Sequence, residues 1–325
     1  MNAGANPWRA SSPCTPRCVT HRLPPVPTME SVRRTVALAK VLTGALPDTD
    51  HHPDTEQRRV ADVRHRAAAA LDALGITLTA TGPLTTALQH EPPNPQHGPR
   101  NPQHGGVGTL VVANHVSWLD VPALLALEPL TFLAKREVAH WPFVGRQARR
   151  TGTLLLDRWS LRGLPTAVDA VAERLRAGES VVAFPEATTW CGAPGGPFRR
   201  AVFQAAIDAG APVRPVTLSY RQRGEPSTVA AFVGDDGLAS SLPRVIRARE
   251  LTIHAECHRP IEPAGDRRAL AARAQRAVQG SAKPQHEPPN PQHGHPNSQH
   301  GPRNAQHGID RRRGPARLGT GAAHV

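Results

Sequence analysis

The segment Asn114-His115-Val116-Ser117-Trp118-Leu119-Asp120 sets an imidazole five positions ahead of a carboxylate. A carboxylate on one ring nitrogen leaves the other free as a base and stabilises the imidazolium that forms. That combination can take the proton from an alcohol. The spacing alone says little: 17 His and 13 Asp in 325 residues supply about 0.7 such pairs by chance. Position adds weight, because the pair follows an apolar run at 110–113 and opens a helical pattern. Five steps along a regular helix turn two side chains about 140° apart. Asp120 therefore reaches His115 only if the histidine lies in the turn before the helix. A histidine whose ring is simply satisfied at a strand end fits the segment equally well.

Three further segments are read beside it. Phe184-Pro185-Glu186-Ala187-Thr188-Thr189-Trp190 ends an apolar run and offers a carboxylate and two hydroxyls to a polar substrate; a turn with a helix cap accounts for it as well. Gly152-Thr153-Leu154-Leu155-Leu156-Asp157-Arg158 ends in a guanidinium whose planar fork suits a phosphate; an ion pair with Asp157 is the alternative. Pro212-Val213-Arg214-Pro215-Val216 reads as a strand start with no chemistry of its own. Cys14 and Cys18 have a zinc-like spacing, but no second Cys or His pair lies suitably near, and the reading assigns no metal. Cys191, close to Glu186, has no base partner in sequence that would make it a nucleophile.

The elements that must position these groups alternate. Helical periodicity runs through 57–74, 118–127, 166–177, 199–209 and 266–279, the last with Asp266 as an N-cap. Strand patterns fall at 76–80, 109–113, 132–134, 153–156, 180–184, 213–219, 229–233 and 250–256. Such alternation predicts an α/β fold, a mainly parallel sheet flanked by helices, with the active site where strands end and loops begin.

Taken together, the four segments resemble the glycerolipid acyltransferase family, which includes bacterial 1-acylglycerol-3-phosphate acyltransferases. That family carries Asn-His-x-x-x-x-Asp, a Gly…Arg block, Phe-Pro-Glu-Gly-Thr and a Pro-Val strand, in the order found here. The resemblance covers 107–220, with weaker support to 280, and includes the stretch 132–145 (FLAKREVAHWPFVG). It implies that His115 is the general base and Asp120 its orienting partner. Arg158 and Glu186 would bind the glycerol-phosphate part of the acceptor, Thr188 would help to shape that site, and Lys135 is a further candidate for the phosphate. The implied reaction is direct transfer of a fatty acyl group from acyl-CoA or acyl carrier protein to 1-acyl-sn-glycerol-3-phosphate, giving phosphatidic acid. It needs neither a metal nor a redox cofactor. Glycerol-3-phosphate, a lyso-ornithine lipid or a glycolipid are the alternative acceptors. One departure stands out: Ala187 occupies the family's Gly position, which costs roughly 1 kcal/mol or more if that residue needs a positive φ.

The rest of the chain bounds these expectations. Residues 1–30 and 281–325 are too poor in periodic apolar side chains to offset their ordering entropy, and are expected to be a flexible segment and a disordered tail around an acyltransferase domain at 31–280. Asn-Pro-Gln-His-Gly occurs at 94–98, 101–105 and 290–294, with variants at 297–301 and 304–308, and residues 89–98 recur unchanged at 285–294. The copies at 90–105 read as a low-complexity insert in a surface loop, where added length costs little. The net charge of +13 points to an anionic partner. Aromatic residues are only 4% and no basic run is interleaved with them, which speaks against nucleic acid. A lipid-working enzyme then needs an anionic membrane surface, and 32–46 (VRRTVALAKVLTGAL) is suited to lie on one, or equally to pack on the domain. No run approaches the roughly 18–20 apolar residues of a membrane span. The expected location is therefore cytoplasmic, peripheral on the inner face of the cell membrane.

Overall fold

The computed structural model describes residues 10–44, 53–84, 106–135, 153–156, 163–192 and 195–280, without the side chains of 53–60, 134–135 and 155–156. The repeat insert at 90–105 and the tail at 281–325 lie outside the described residues.

Eight described strands form one sheet in the order β1-β8-β6-β2-β5-β3-β4, with the short β7 (Glu225–Pro226) pairing β6. The central strand is β2 (Leu110–Ala113), flanked in parallel by β5 (Val181–Ala183) and β6 (Val213–Gln222). Outward from β5 lie β3 (Thr131–Lys135) and β4 (Leu154–Leu156), also parallel. On the other side β8 (Leu251–Cys257) runs antiparallel to β6, and β1 (Ile76–Thr81) pairs parallel with β8. The sheet is thus mixed but mostly parallel. The direction of β8 is invisible to periodicity, because a strand buries the same alternate residues whichever way it runs.

The central strands are apolar at every position because both faces are covered. Leu110 and Val112 point into a core shared with α4 (Leu164–Arg176), α5 (Ala201–Ala209) and α7 (Arg267–Gln279). Val111 and Ala113 face the other way, against α2 (Pro53–Ala73) and α3 (Asp120–Leu127). That second layer continues into α1 (Thr28–Thr43) and α6 (Leu238–Arg247). Asp266 caps α7 as expected, accepting the N–H groups of Arg268 and Ala269 at 2.7 and 2.9 Å.

Two expectations change. Residues 229–233 are not a strand: Ala231 N–H turns back to the Thr228 carbonyl at 3.0 Å, and Val229, Ala230, Ala231 and Val233 are buried without pairing. A short apolar run signals burial, and here burial comes from packing beneath α6 rather than from a ladder. The N-terminal segment, expected to be flexible through residue 30, lies along the domain from residue 10. Cys14 and Val26 are buried, Val26 N–H donates to the Arg247 carbonyl at 3.0 Å, and Thr20 N–H to Thr228 Oγ1 at 2.9 Å. Its partners lie some 200 residues downstream, beyond the reach of any local pattern.

Helix α1 packs one face on the domain. Arg34 and Leu38 are buried against the domain, and Arg34 donates to the carbonyls of Ile246 and Ala248 at 3.1 and 2.8 Å. Met29, Val32, Val36 and Leu42 stay exposed.

Candidate active site

β2 delivers its chain to the site at Ala113, and the next seven residues form the turn that opens α3. Asn114 extends the pairing beyond the strand: its side chain accepts Leu218 N–H at 2.7 Å and donates to the Leu218 carbonyl at 3.0 Å. His115 therefore sits in the turn and Asp120 is the first residue of α3, the arrangement that the five-residue spacing demands. His115 Nδ1 lies 2.7 Å from Asp120 Oδ2. The same oxygen accepts the N–H groups of Val116 and Ser117 at 2.8 and 2.9 Å. Asp120 is fully buried, at the positive end of a helix.

The imidazole is held on one face as well. It stacks on Phe184, with ring centroids 4.1 Å apart and planes 13° from parallel. The ring remains about one-quarter exposed, at 24%, and Nε2 has no partner among the described residues. A buried carboxylate thus fixes one nitrogen and leaves the other open toward solvent. This geometry can remove a proton from a hydroxyl presented at Nε2.

Tyr220, the only tyrosine in the chain, was not singled out from the sequence. Its hydroxyl donates to Asp120 Oδ1. Burial, and then the adjacent Asp120 charge, hold that phenol protonated well above its usual range. The signal available was register. Ala113 pairs with Val216, so β6 overruns β2 and carries Leu218 and Tyr220 alongside the His115 turn.

Glu186 follows β5 and is turned inward. It is only 3% exposed, and its Oε2 accepts the backbone N–H of His115 at 2.8 Å. Gln279 Nε2, from the end of α7, donates to Oε1 at 3.2 Å and to the Gly196 carbonyl at 2.8 Å. A Cβ on Gly195 would lie 1.7 Å from Oε1, so glycine is required beside the carboxylate. Burial pushes the Glu186 carboxyl up to about 7, against the donors that would lower it. β5 ends beside β2 and turns Glu186 onto the backbone of His115.

The residue after it, Ala187, has φ = 60°, the left-handed region where glycine would be unstrained. Thr188 is half-buried and its side chain makes no hydrogen bond among the described residues. Thr189 Oγ1 donates to the Phe232 carbonyl, and Trp190 N–H to the His115 carbonyl at 2.8 Å. Arg158 and the side chain of Lys135, both expected near the phosphate, lie outside the described residues. Burial, and then the adjacent Cys14, push the Cys191 thiol up to about 12, which disfavours it as a nucleophile. A cleft of about 470 Å³ lined by Leu164, Arg200, Ala201, Asp266, Arg267 and Arg268 shares no residue with this cluster.

The fold and site define an enzyme with a carboxylate-held base at the strand ends of a covered α/β sheet. Comparison with known proteins specifies the class. The Acyltransferase family model matches residues 95–219. The lyso-ornithine lipid O-acyltransferase of Pseudomonas aeruginosa is 43% identical over 181 residues, covering 54% of this chain and 69% of that protein. The 1-acyl-sn-glycerol-3-phosphate acyltransferase of Neisseria meningitidis is 34% identical over 229 residues, covering 70% and 82%. The crystal structure of the 1-acyl-sn-glycerophosphate acyltransferase of Thermotoga maritima shares the fold, with TM-score 0.50 and 20% identity over 77% of this chain and 92% of that one. The chain belongs to the Acyltransferase family and is an O-acyltransferase of lipid metabolism.

Proposed function

We propose that the protein transfers a fatty acyl group from a thioester, acyl-CoA or acyl carrier protein, to the hydroxyl of 1-acyl-sn-glycerol-3-phosphate, giving phosphatidic acid. The observation that carries the chemistry is the His115 imidazole, tied to buried Asp120 through Nδ1 and open at Nε2. His115 Nε2 takes the acceptor proton while the hydroxyl oxygen attacks the thioester carbonyl. The carbon–oxygen bond forms, the carbon–sulfur bond breaks, and the imidazolium returns its proton to the departing thiolate. Asp120 stabilises the imidazolium, Tyr220 holds Asp120, and Glu186 holds the backbone of His115. Arg158, Thr188 and Lys135 are proposed to contact the glycerol-phosphate part.

The acceptor has a second reading, a lyso-ornithine lipid, favoured by the 43% identity to the Pseudomonas aeruginosa enzyme. Both readings place the work at a membrane surface. The exposed Met29, Val32, Val36 and Leu42 on α1 and the net charge of +13 support contact with anionic lipid. No described helix is long and apolar enough to cross a membrane.

The test is acyl transfer from a long-chain acyl-CoA to each acceptor in parallel, for wild type and His115→Ala. A general base contributes about 10²- to 10⁴-fold, so transfer should fall by at least the lower figure in a folded His115→Ala protein. Preference between the acceptors decides between the two readings. Retention of most activity in His115→Ala would remove His115 from the mechanism.

A further inference from the structure

Three of the four cysteines converge at one point on the second helical layer. Cys14 precedes and Cys18 ends the short 3-10 turn Pro16–Cys18, and Cys191 lies 177 residues beyond Cys14, two positions after Thr189. Cys14 Sγ and Cys191 Sγ are 3.2 Å apart, Cys191 N–H points to Cys14 Sγ at 3.4 Å, and all three sulfurs lie within 4.8 Å of one another. Gly234 packs beneath the turn, where a Cβ would come within 3.1 Å of Pro16 Cδ.

These separations suit shared coordination. Zinc–sulfur bonds of about 2.3 Å place tetrahedral thiolates about 3.8 Å apart and trigonal ones about 4.0 Å apart, within the span the three sulfurs occupy. A disulfide needs its sulfurs at about 2.05 Å, and the three cysteines are free thiols. Thiolates select soft cations, chiefly zinc(II) and copper(I). No histidine or carboxylate joins the group among the described residues.

We propose that Cys14, Cys18 and Cys191 form a three-thiolate site for a soft d10 cation, either zinc(II) with solvent in the fourth position or trigonal copper(I). The cation clamps the N-terminal segment to the loop after Glu186. Trp190, the neighbour of Cys191, donates its N–H to the His115 carbonyl, so the clamp braces the turn that carries the histidine. The site is structural, and its occupancy is measured independently of acyl transfer.

The experiment uses full-length protein purified under reducing, anaerobic conditions. Metal content is measured after gel filtration, and the stripped protein is titrated with cobalt(II) as the zinc probe and with copper(I) against a chromogenic chelator. One equivalent of cation per chain is expected. On the zinc side cobalt(II) should give thiolate charge-transfer absorption, and on the copper side copper(I) should be held against the chelator. Cys14→Ser and Cys191→Ser should weaken binding at least 100-fold, whereas Cys257→Ser, outside the cluster, should not. The wild-type titration stands even if a variant fails to fold. Absence of retained metal, cobalt charge transfer and copper(I) retention would overturn the proposal. So would a thiol count showing Cys14 and Cys191 joined as a disulfide in protein made in a reducing cytoplasm.

Discussion

At the scale of single residues, the site rests on buried polar groups whose partners are specific. Tyr220→Phe removes one hydroxyl without changing shape and leaves Asp120 Oδ1 short of a donor in a fully buried place. A hydrogen bond to a charged group contributes about 1.5–3 kcal/mol, so unfolding in urea should show a loss of that order. Because Tyr220 acts on Asp120 rather than on substrate, kcat should fall about 10- to 100-fold with KM nearly unchanged. A merely structural tyrosine would lower stability and leave the kcat of folded enzyme intact. Glu186 makes the second prediction. Burial pushes its carboxyl up to about 7 in the folded protein, against an ordinary value of 4.5. Between those values the folded state binds more protons than the unfolded chain, so this group's contribution to stability falls as pH rises, then levels off. The difference corresponds to about 3 kcal/mol. Urea unfolding at pH 5 and pH 8 should show it as a drop that Glu186→Gln abolishes, and equal pH dependence in the two proteins would refute it.

At the scale of elements, the loop after β5 is the strained piece. Pro185 and the close approach of Gly195 turn Glu186 inward, and the chain then passes through a left-handed residue at Ala187. A non-glycine residue there costs about 1–2 kcal/mol, partly offset by the extra freedom glycine gives the unfolded chain. Ala187→Gly should therefore stabilise the protein by about 0.5–1 kcal/mol, measured as an upward shift in thermal midpoint. A decrease would show that the alanine methyl makes packing contacts that outweigh the strain. The doubt attached to this alanine was legible in the sequence, since the family pattern has glycine there. The sign of φ was not, because it depends on where Thr189 and Trp190 are tied down, at Phe232 and His115.

At the scale of the whole molecule, the sheet puts the histidine turn at the strand ends while α1 presents an apolar stripe. The buried side of α1 is held by Arg34 and Leu38, which leaves Val32 and Val36, 53% and 49% exposed, free to enter a lipid interface. Val32→Asp together with Val36→Asp should lower binding to anionic vesicles by at least about 10-fold, with helix content unchanged. Binding by wild type should also weaken as salt is raised, since part of the attraction is electrostatic. Equal vesicle binding by the double variant would place the membrane contact elsewhere on the chain.

The sequence by itself determined the reaction class, through four ordered segments that resemble one family, and most of the elements. His115 and Asp120 gained weight from their place between an apolar run and a helical pattern, and the apolar runs announced strands covered on both faces. These are local properties, set by periodicity and by a few adjacent residues. Tertiary structure alone decided which distant groups complete the site. Glu186 reaches the His115 backbone across 71 residues, Tyr220 reaches Asp120 across 100, and Cys191 meets Cys14 across 177. It also decided that β8 runs antiparallel and that residues 10–27 pack on the domain. The physical reason is common to all of these. A residue's pattern encodes whether it will be buried, but its partner is fixed by strand order and register, which arise only when the whole sheet assembles.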